Sequence, residues 1–221
     1  MTGSGPGAIT PDGCAVEVYS LLPAMGEPEI IHAAVAPGAA VLDLGCGVGR
    51  IAHPLIALGH PVLAVDESPQ MLARVRDAET VLSGIAQLRL GRRFGGVLLA
   101  SHLVNTPEPG ERRALLATGA AHLADDGVLV AEWHPPEWFD TVRSGGGGMA
   151  GPVHAALAGV RRDGDLLRAT AVYVAGDQRW EQPFVARRLT VADLDGELAR
   201  VGLRFDAWCS PDHSWLTAVP A

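Results

Sequence analysis

The chain has 221 residues, 48% of them hydrophobic, which suits one domain with one sizeable core. Its net charge of −8 and pI near 5.4 argue against a nucleic-acid or anionic-membrane surface. Every basic residue is an arginine, which excludes lysine Schiff-base chemistry, a lysine base and a P-loop lysine. Residues 1–13 are rich in Gly, Pro and Ser and are expected to be mobile; they have neither a basic n-region nor an apolar core, so no signal peptide is expected. Cys14 to Leu22 reads as a short helix with Asp12 as its cap and Pro23 at its end, and Glu27 to Ala36 as a second helix stopped by Pro37-Gly38. Cys14, Cys46 and Cys209 lie far apart without a C-x-x-C spacing, which points to reduced thiols rather than a disulfide framework or a zinc site. No apolar stretch is long enough to span a bilayer, and the expectation is a soluble cytoplasmic protein.

The stretch Val41-Leu-Asp-Leu-Gly-Cys-Gly-Val-Gly-Arg50 organises the chain. Val41 to Leu44 reads as a buried parallel strand, apolar except for Asp43. Gly45, Gly47 and Gly49 then make a turn before the helical stretch Ile51 to Leu58. Such a turn lets a ligand approach backbone amides closely. A dinucleotide fingerprint, G-x-G-x-x-G, would need its third glycine at the position of Arg50. An acid just before the turn repels a pyrophosphate and attracts an ammonium group, so the ligand expected has an amino-acid end and a ribose.

These residues resemble the first motif of the class I S-adenosylmethionine-dependent methyltransferases, small-molecule type. Leu63-Ala-Val-Asp66-Glu67-Ser-Pro-Gln-Met71 resembles their second motif, in which an acid at the end of the second strand grips the ribose hydroxyls. Asp66 follows Gly45 by about 20 residues, the usual separation in such βαβ units. The resemblance covers roughly residues 30 to 221 and implies S-adenosylmethionine as cofactor, with S-adenosylhomocysteine as product. It implies an α/β fold: a Rossmann-like, seven-stranded, mostly parallel sheet with an antiparallel last strand and helices on both faces. One domain over 1–221 is expected, with residues 14–36 as lid helices over the cofactor and Tyr19 reaching its carboxylate. The implied cofactor residues are Tyr19, Asp43, Gly45, Cys46, Gly47, Gly49, Asp66, Glu67, Met71, Ile85, Ala86 and Ser101. The family often carries Gly-Asp-Ala after the third strand, the acid binding the adenine amino group. This chain has Gly84-Ile85-Ala86, so that carboxylate is missing and backbone at Ile85 and Ala86 is left to hold the adenine edge.

Pro61 to Val65 reads as the second strand, and Ser68-Pro69 starts a helix through about Asp77. Thr80 to Ser83 is a short third strand and Phe94 to Ala100 the fourth. Glu108 to Leu123 reads as a helix, Ala124 to Gly127 as a turn, and Val128 to Trp133 as the fifth strand. Ser101-His102-Leu-Val-Asn105 falls at the carboxyl edge of the sheet, where open α/β sheets bind ligands. Beyond the fifth strand, about 134–189 reads as an inserted cover over the site. It holds the glycine run Ser144 to Gly148 as a hinge, and Leu166 to Ala175 paired antiparallel with Trp180 to Leu189. Thr190-Val-Ala-Asp193 resembles a capping box opening a helix to Val201. Leu203 to Cys209 and Ser214 to Val219 complete the sheet.

The cofactor brings its own leaving group, so the protein need only place a nucleophile and manage its proton. His134 is the first candidate base and His102 the second, because a histidine near neutral pKa suits proton removal from a hydroxyl. Asn105, Glu132, Trp133, Trp138 and Arg188 are the candidate substrate residues. Trp180 and Trp215 are further candidates for an apolar pocket wall. Arg187-Arg188 also suits an exposed strand edge, and Asp212-His213 a solvated loop. His134-x-x-Glu137 lacks the second helical histidine of a zinc protease, and no metal is expected. The expected function is methyl transfer to an O or N atom of a small molecule, in secondary metabolism, by a monomer or homodimer that binds neither nucleic acid nor membrane. Two alternatives are a cyclase or isomerase on the same fold and a non-catalytic cofactor-binding subunit.

Overall fold

Five apolar stretches bounded by turns become the parallel centre of a seven-stranded sheet: β1 (Val41–Leu44), β2 (Val62–Asp66), β3 (Glu79–Leu82), β4 (Phe94–Leu99) and β5 (Leu123–Glu132). The computed structural model describes residues 2–221; Met1, part of the segment expected to be mobile, lies outside them. β10 (Leu203–Trp208) and β11 (Trp215–Pro220) complete the sheet in the order β10-β11-β5-β4-β1-β2-β3. β11 is antiparallel to both β5 and β10, so the last strand is the reversed one, as the resemblance implies.

β1 is buried on both faces, which is why it reads as an unbroken apolar run rather than an alternating one. On one face, Leu42, Leu44, Val97, Leu99 and Leu129 join a core with α5 (Pro109–Ala121) and α7 (Val191–Ala199). On the other, Val41, Leu98 and Val130 join a core with α2 (Glu27–Ala34) and α3 (Ala52–Ala57). α1 (Val16–Leu21) and the one-turn α4 (Pro69–Leu72) flank the carboxyl edge. No helix among the described residues is long and apolar enough to cross a membrane.

Between β5 and α7 the chain forms α6 (Pro136–Thr141) and a second, antiparallel sheet. Its strands are β6 (Gly147–Ala150), β7 (Val153–Asp163), β8 (Leu166–Ala175) and β9 (Gln178–Arg187). The insertion was expected, but only as the β8–β9 pair. β6 and β7 are added to it, and the glycine run read as a hinge enters β6. The start of the chain meets this sheet: Ser4 and Glu181 exchange backbone hydrogen bonds at 2.8 and 2.9 Å, and Trp180 Nε1 donates to the Pro6 carbonyl at 2.8 Å. The glycine- and proline-rich segment is therefore tied to β9 at Ser4 and Pro6.

Candidate active site

The turn after β1 uses its own amides. Gly45 and Cys46 both donate to the Val65 carbonyl, at 2.8 and 2.9 Å, and Gly47 donates to Asp66 Oδ2 at 2.9 Å. These three amides are thus committed to the end of β2, contrary to the expectation that a ligand would use them. What the turn offers instead is space and carboxylates. At Gly47 the backbone is left-handed (φ 55°) and an added Cβ would meet nothing within 4 Å, so the residue faces an open cradle. Gly49 (φ 83°) has a different reason: an added Cβ would lie 2.7 Å from His53 Nε2. Alone among the expected cofactor residues, it lines neither of the two cavities described below.

A cavity of about 460 Å³ opens over this turn. Asp43, Gly45, Cys46, Gly47, Asp66, Glu67, Met71, Ile85, Ala86, Ser101 and Tyr19 all line it, so eleven of the twelve expected cofactor residues converge. Asp43 is fully enclosed and its Oδ2 has no hydrogen-bond partner. Burial, reinforced by the nearby Asp66 charge, pushes its carboxyl up to about 7. Asp66 accepts one backbone donor on each oxygen, Ser68 N on Oδ1 and Gly47 N on Oδ2, both at 2.9 Å. Each oxygen keeps a lone pair for a further donor. Burial likewise raises Asp66. The missing adenine acid is replaced by a short 3-10 turn, Ile85–Gln87, packed against the glycine turn.

A second cavity, about 830 Å³, adjoins the first across Asp12, Cys14, Tyr19, Arg50 and Ser101, which line both. The end of β5 and the inserted sheet wall it. His102, which sits in left-handed backbone (φ 57°), stacks on His134 with ring centres 3.5 Å apart. His134 stacks in turn on Trp138 at 3.6 Å. Burial pushes His134 down to about 2 and also lowers His102, so both rings are neutral at ordinary pH. A base of so low a pKa draws protons weakly, which removes the near-neutral value on which a base role for His134 depends. Glu132 accepts the Ser101 amide at 2.7 Å through Oε2 and holds Oε1 3.5 Å from His102 Nε2. Asn105 is buried and its amide is spent internally, accepting from His134 N at 2.6 Å and donating to the Arg187 carbonyl at 3.0 Å. It fixes His134 and the end of β9.

Four residues expected at the substrate wall line neither cavity. Trp133 is fully buried beneath Trp208, with Nε1 donating to the His213 carbonyl at 2.6 Å. Trp180 and Trp215 are core residues of their own layers. Arg188 lines neither cavity and pairs with Asp140 at 3.0 Å. An aromatic ring at a strand end gives no sequence sign of which way it points. Conversely, Arg50, Gln182, Tyr173 and Phe184 line the larger cavity without having been expected there. Arg50 pairs with Glu27, and Tyr19 Oη donates to Gln182 Oε1 at 3.0 Å. Arg50 alone had a signal, standing where the dinucleotide fingerprint would place its third glycine. The larger cavity is lined by four carboxylates, Asp12, Glu27, Glu111 and Glu132, against the single cation Arg50.

Residues 41–127 match the model of a methyltransferase domain family. A cypemycin N-terminal methyltransferase from Streptomyces sp is 30% identical over 148 residues, 61% of this chain and 60% of that protein. The alignment thus spans about 60% of the curated relative's length. Among solved structures, CalS10, an amino pentose methyltransferase from Micromonospora echinaspora determined with S-adenosylmethionine bound, is 25% identical with a TM-score of 0.69, covering 88% of this chain and 89% of that one. The sugar N-methyltransferase KedS8 from Streptoalloteichus sp ATCC 53650 superposes with a TM-score of 0.71 at 20% identity, covering 98% of both chains.

Proposed function

We propose that this chain, a class I S-adenosylmethionine-dependent methyltransferase by fold and by its methyltransferase-domain match, methylates an amine nitrogen of a small molecule. The observation that carries the choice of nitrogen is the charge of the larger cavity: four carboxylates and one cation, the latter already paired with Glu27. Such a lining favours a cationic or amine-bearing acceptor over a neutral alcohol. The relatives agree with this reading: KedS8 is named a sugar N-methyltransferase, CalS10 an amino pentose methyltransferase and the curated relative an N-terminal methyltransferase. They give no support to a cyclase or to a non-catalytic subunit. Secondary metabolism and a cytoplasmic location belong to the same reading, as does one domain in which residues 14–36 and the inserted sheet cover the site.

The smaller cavity fits the cofactor. Asp43 would offer a buried, unpartnered carboxylate oxygen to the ammonium of its amino-acid end, and Tyr19 would reach its carboxylate. Asp66 and Glu67 would offer acceptors to the ribose hydroxyls, Ile85 and Ala86 backbone to the adenine edge, and Met71 an apolar wall. When bound, the group supplies a methyl on a positively charged sulfur. The protein's own part is to present a neutral amine with its lone pair toward the seam between the two cavities, at Tyr19, Arg50 and Ser101. Glu132 accepts an N–H from that amine, and its charge balances the positive nitrogen that results until a proton leaves to solvent. His102, His134 and Trp138 form a neutral stacked wall that orients the acceptor and excludes water.

Glu132→Gln keeps an acceptor for the Ser101 amide but removes the charge. With an amine acceptor we expect kcat/KM to fall about 10- to 100-fold, the loss of one charge-assisted hydrogen bond. Steady-state kinetics with a circular dichroism control tests this; unchanged kcat/KM would remove Glu132 from the acceptor site.

A further inference from the structure

The larger cavity has two unlike sides. Its four carboxylates come from the chain's start (Asp12), the first turns of α2 and α5 (Glu27 and Glu111) and the end of β5 (Glu132). The inserted sheet contributes no charged side chain to the lining. The register sets Leu157, Ala171 and Gln182 side by side across β7, β8 and β9, with Phe184 two residues further along the same face. Gln182 has its amide engaged, Oε1 accepting from Tyr19 Oη and Nε2 donating to Cys14 Sγ, both at 3.0 Å. Among the described residues, Leu157 and Ala171 pack into none of the hydrophobic clusters, so their apolar surface is left to whatever fills the cavity.

The lining is poorly suited to an anion. Arg50, its single cation among the described residues, pairs with Glu27 and donates to the Pro23 carbonyl at 3.3 Å. A helix start can hold a phosphate. Here α2 and α5 each carry a glutamate in the first turn at the cavity, which already takes up the positive end of the helix dipole. The volume, about 830 Å³, lies near the top of the roughly 300–1,000 Å³ of sites for drug-sized ligands. Met25 lines the cavity while 64% exposed, so it marks the rim.

We propose that the acceptor is a phosphate-free amine carried on an extended apolar body. Its nitrogen sits at Glu132, its body runs along Leu157, Ala171 and Phe184, and its far end leaves at the Met25 rim. This rests on the nitrogen reading given above and adds the remainder of the molecule to it. The acceptor is then the product of a reaction that has already joined the amine to its apolar body. Any phosphate used to activate either part has been discharged before this step.

Calorimetric titration of the full chain saturated with S-adenosylhomocysteine tests this with three matched amines: aminohexanol, aminohexyl phosphate and aminohexyl naphthyl ether. The naphthyl ether is expected to bind about tenfold tighter than aminohexanol or better, through the apolar area it buries. The phosphate is expected to bind more weakly than either. Phe184→Ala should remove most of the naphthyl advantage while S-adenosylmethionine affinity, which reports an intact fold, stays unchanged, because Phe184 lines only the larger cavity. Leu157→Asp, which sets a charge in the path of the apolar body, should do the same if Phe184→Ala folds poorly. A phosphate that binds as tightly as the naphthyl ether would overturn the proposal. So would a naphthyl ether no tighter than aminohexanol, three undetectable affinities, or a naphthyl advantage that survives in both variants. Failure of the nitrogen reading looks different: hydroxyhexyl naphthyl ether would then bind as tightly as the aminohexyl ether, with the order of the three amines unchanged.

Discussion

Asp43 carries an electrostatic cost in the smaller cavity, because burial opposes its ionised form. Its carboxyl stands at about 7 in the folded chain, against an ordinary value of 3.8. A folded-state value above the unfolded one means that the protonated form favours folding. That advantage is fully present below about pH 4 and is lost as pH rises through about 7. Asp43→Asn is therefore expected to raise the melting temperature of the ligand-free protein at pH 8 and to change it little at pH 4. The same substitution removes the partner of a cofactor ammonium, and affinity for S-adenosylmethionine should fall about 10- to 100-fold. In the wild-type chain that affinity should rise with pH up to about 7 and then level off, because binding requires the ionised carboxylate. Calorimetry in buffers of different ionisation heat would show the proton released; pH-independent affinity would place Asp43 outside the ligand's reach. The residue itself was legible, since a lone acid in a buried strand ahead of a glycine turn has few other uses. The two histidines were legible as residues of the site but not in their protonation. The stacking of His102 on His134 and the hydrogen bond between His134 and Asn105 join residues 29 or more apart in the chain, invisible in local pattern.

The turn after β1 shows why glycine spacing was readable and glycine purpose was not. Gly47 faces the cradle, whereas Gly49 makes room for His53, whose Nε2 accepts the Arg76 amide at 2.9 Å. Gly49→Ala should therefore destabilise the chain by about 1–3 kcal/mol, through left-handed backbone and the clash with the His53 ring. Thermal unfolding would register this as a lower melting temperature; an unchanged value would mean that the imidazole swings aside freely. α7 was legible because its start signal is local: the Thr190 side chain accepts from Asp193 N and the Asp193 carboxylate accepts from Thr190 N. Thr190→Ala is expected to cost about 1 kcal/mol, read by chemical denaturation. β6 and β7 were not legible. Glycine has no strand propensity to announce β6, and the irregular register between Ala158 and Arg161 breaks the alternation that would have announced β7.

The chain is organised as two cavities, one over the end of the seven-stranded sheet and one closed by the inserted sheet, joined at Tyr19, Arg50 and Ser101. The first was readable almost whole, because one continuous motif from Val41 to Arg50 and one acid at the end of β2 build most of it. The second was read only in part, because its walls come from the chain's start, the end of β5 and three inserted strands, which only folding brings together. Its acidity within a chain of net charge −8 is the basis for assigning nitrogen as the methylated atom. The most direct test is to incubate the purified chain with methyl-labelled S-adenosylmethionine and matched acceptors that differ only in bearing an amine or a hydroxyl. Label appearing on the amine, located on nitrogen by NMR, with little or none on the hydroxyl partner, is the result expected. Label on the hydroxyl with none on the amine would contradict the assignment.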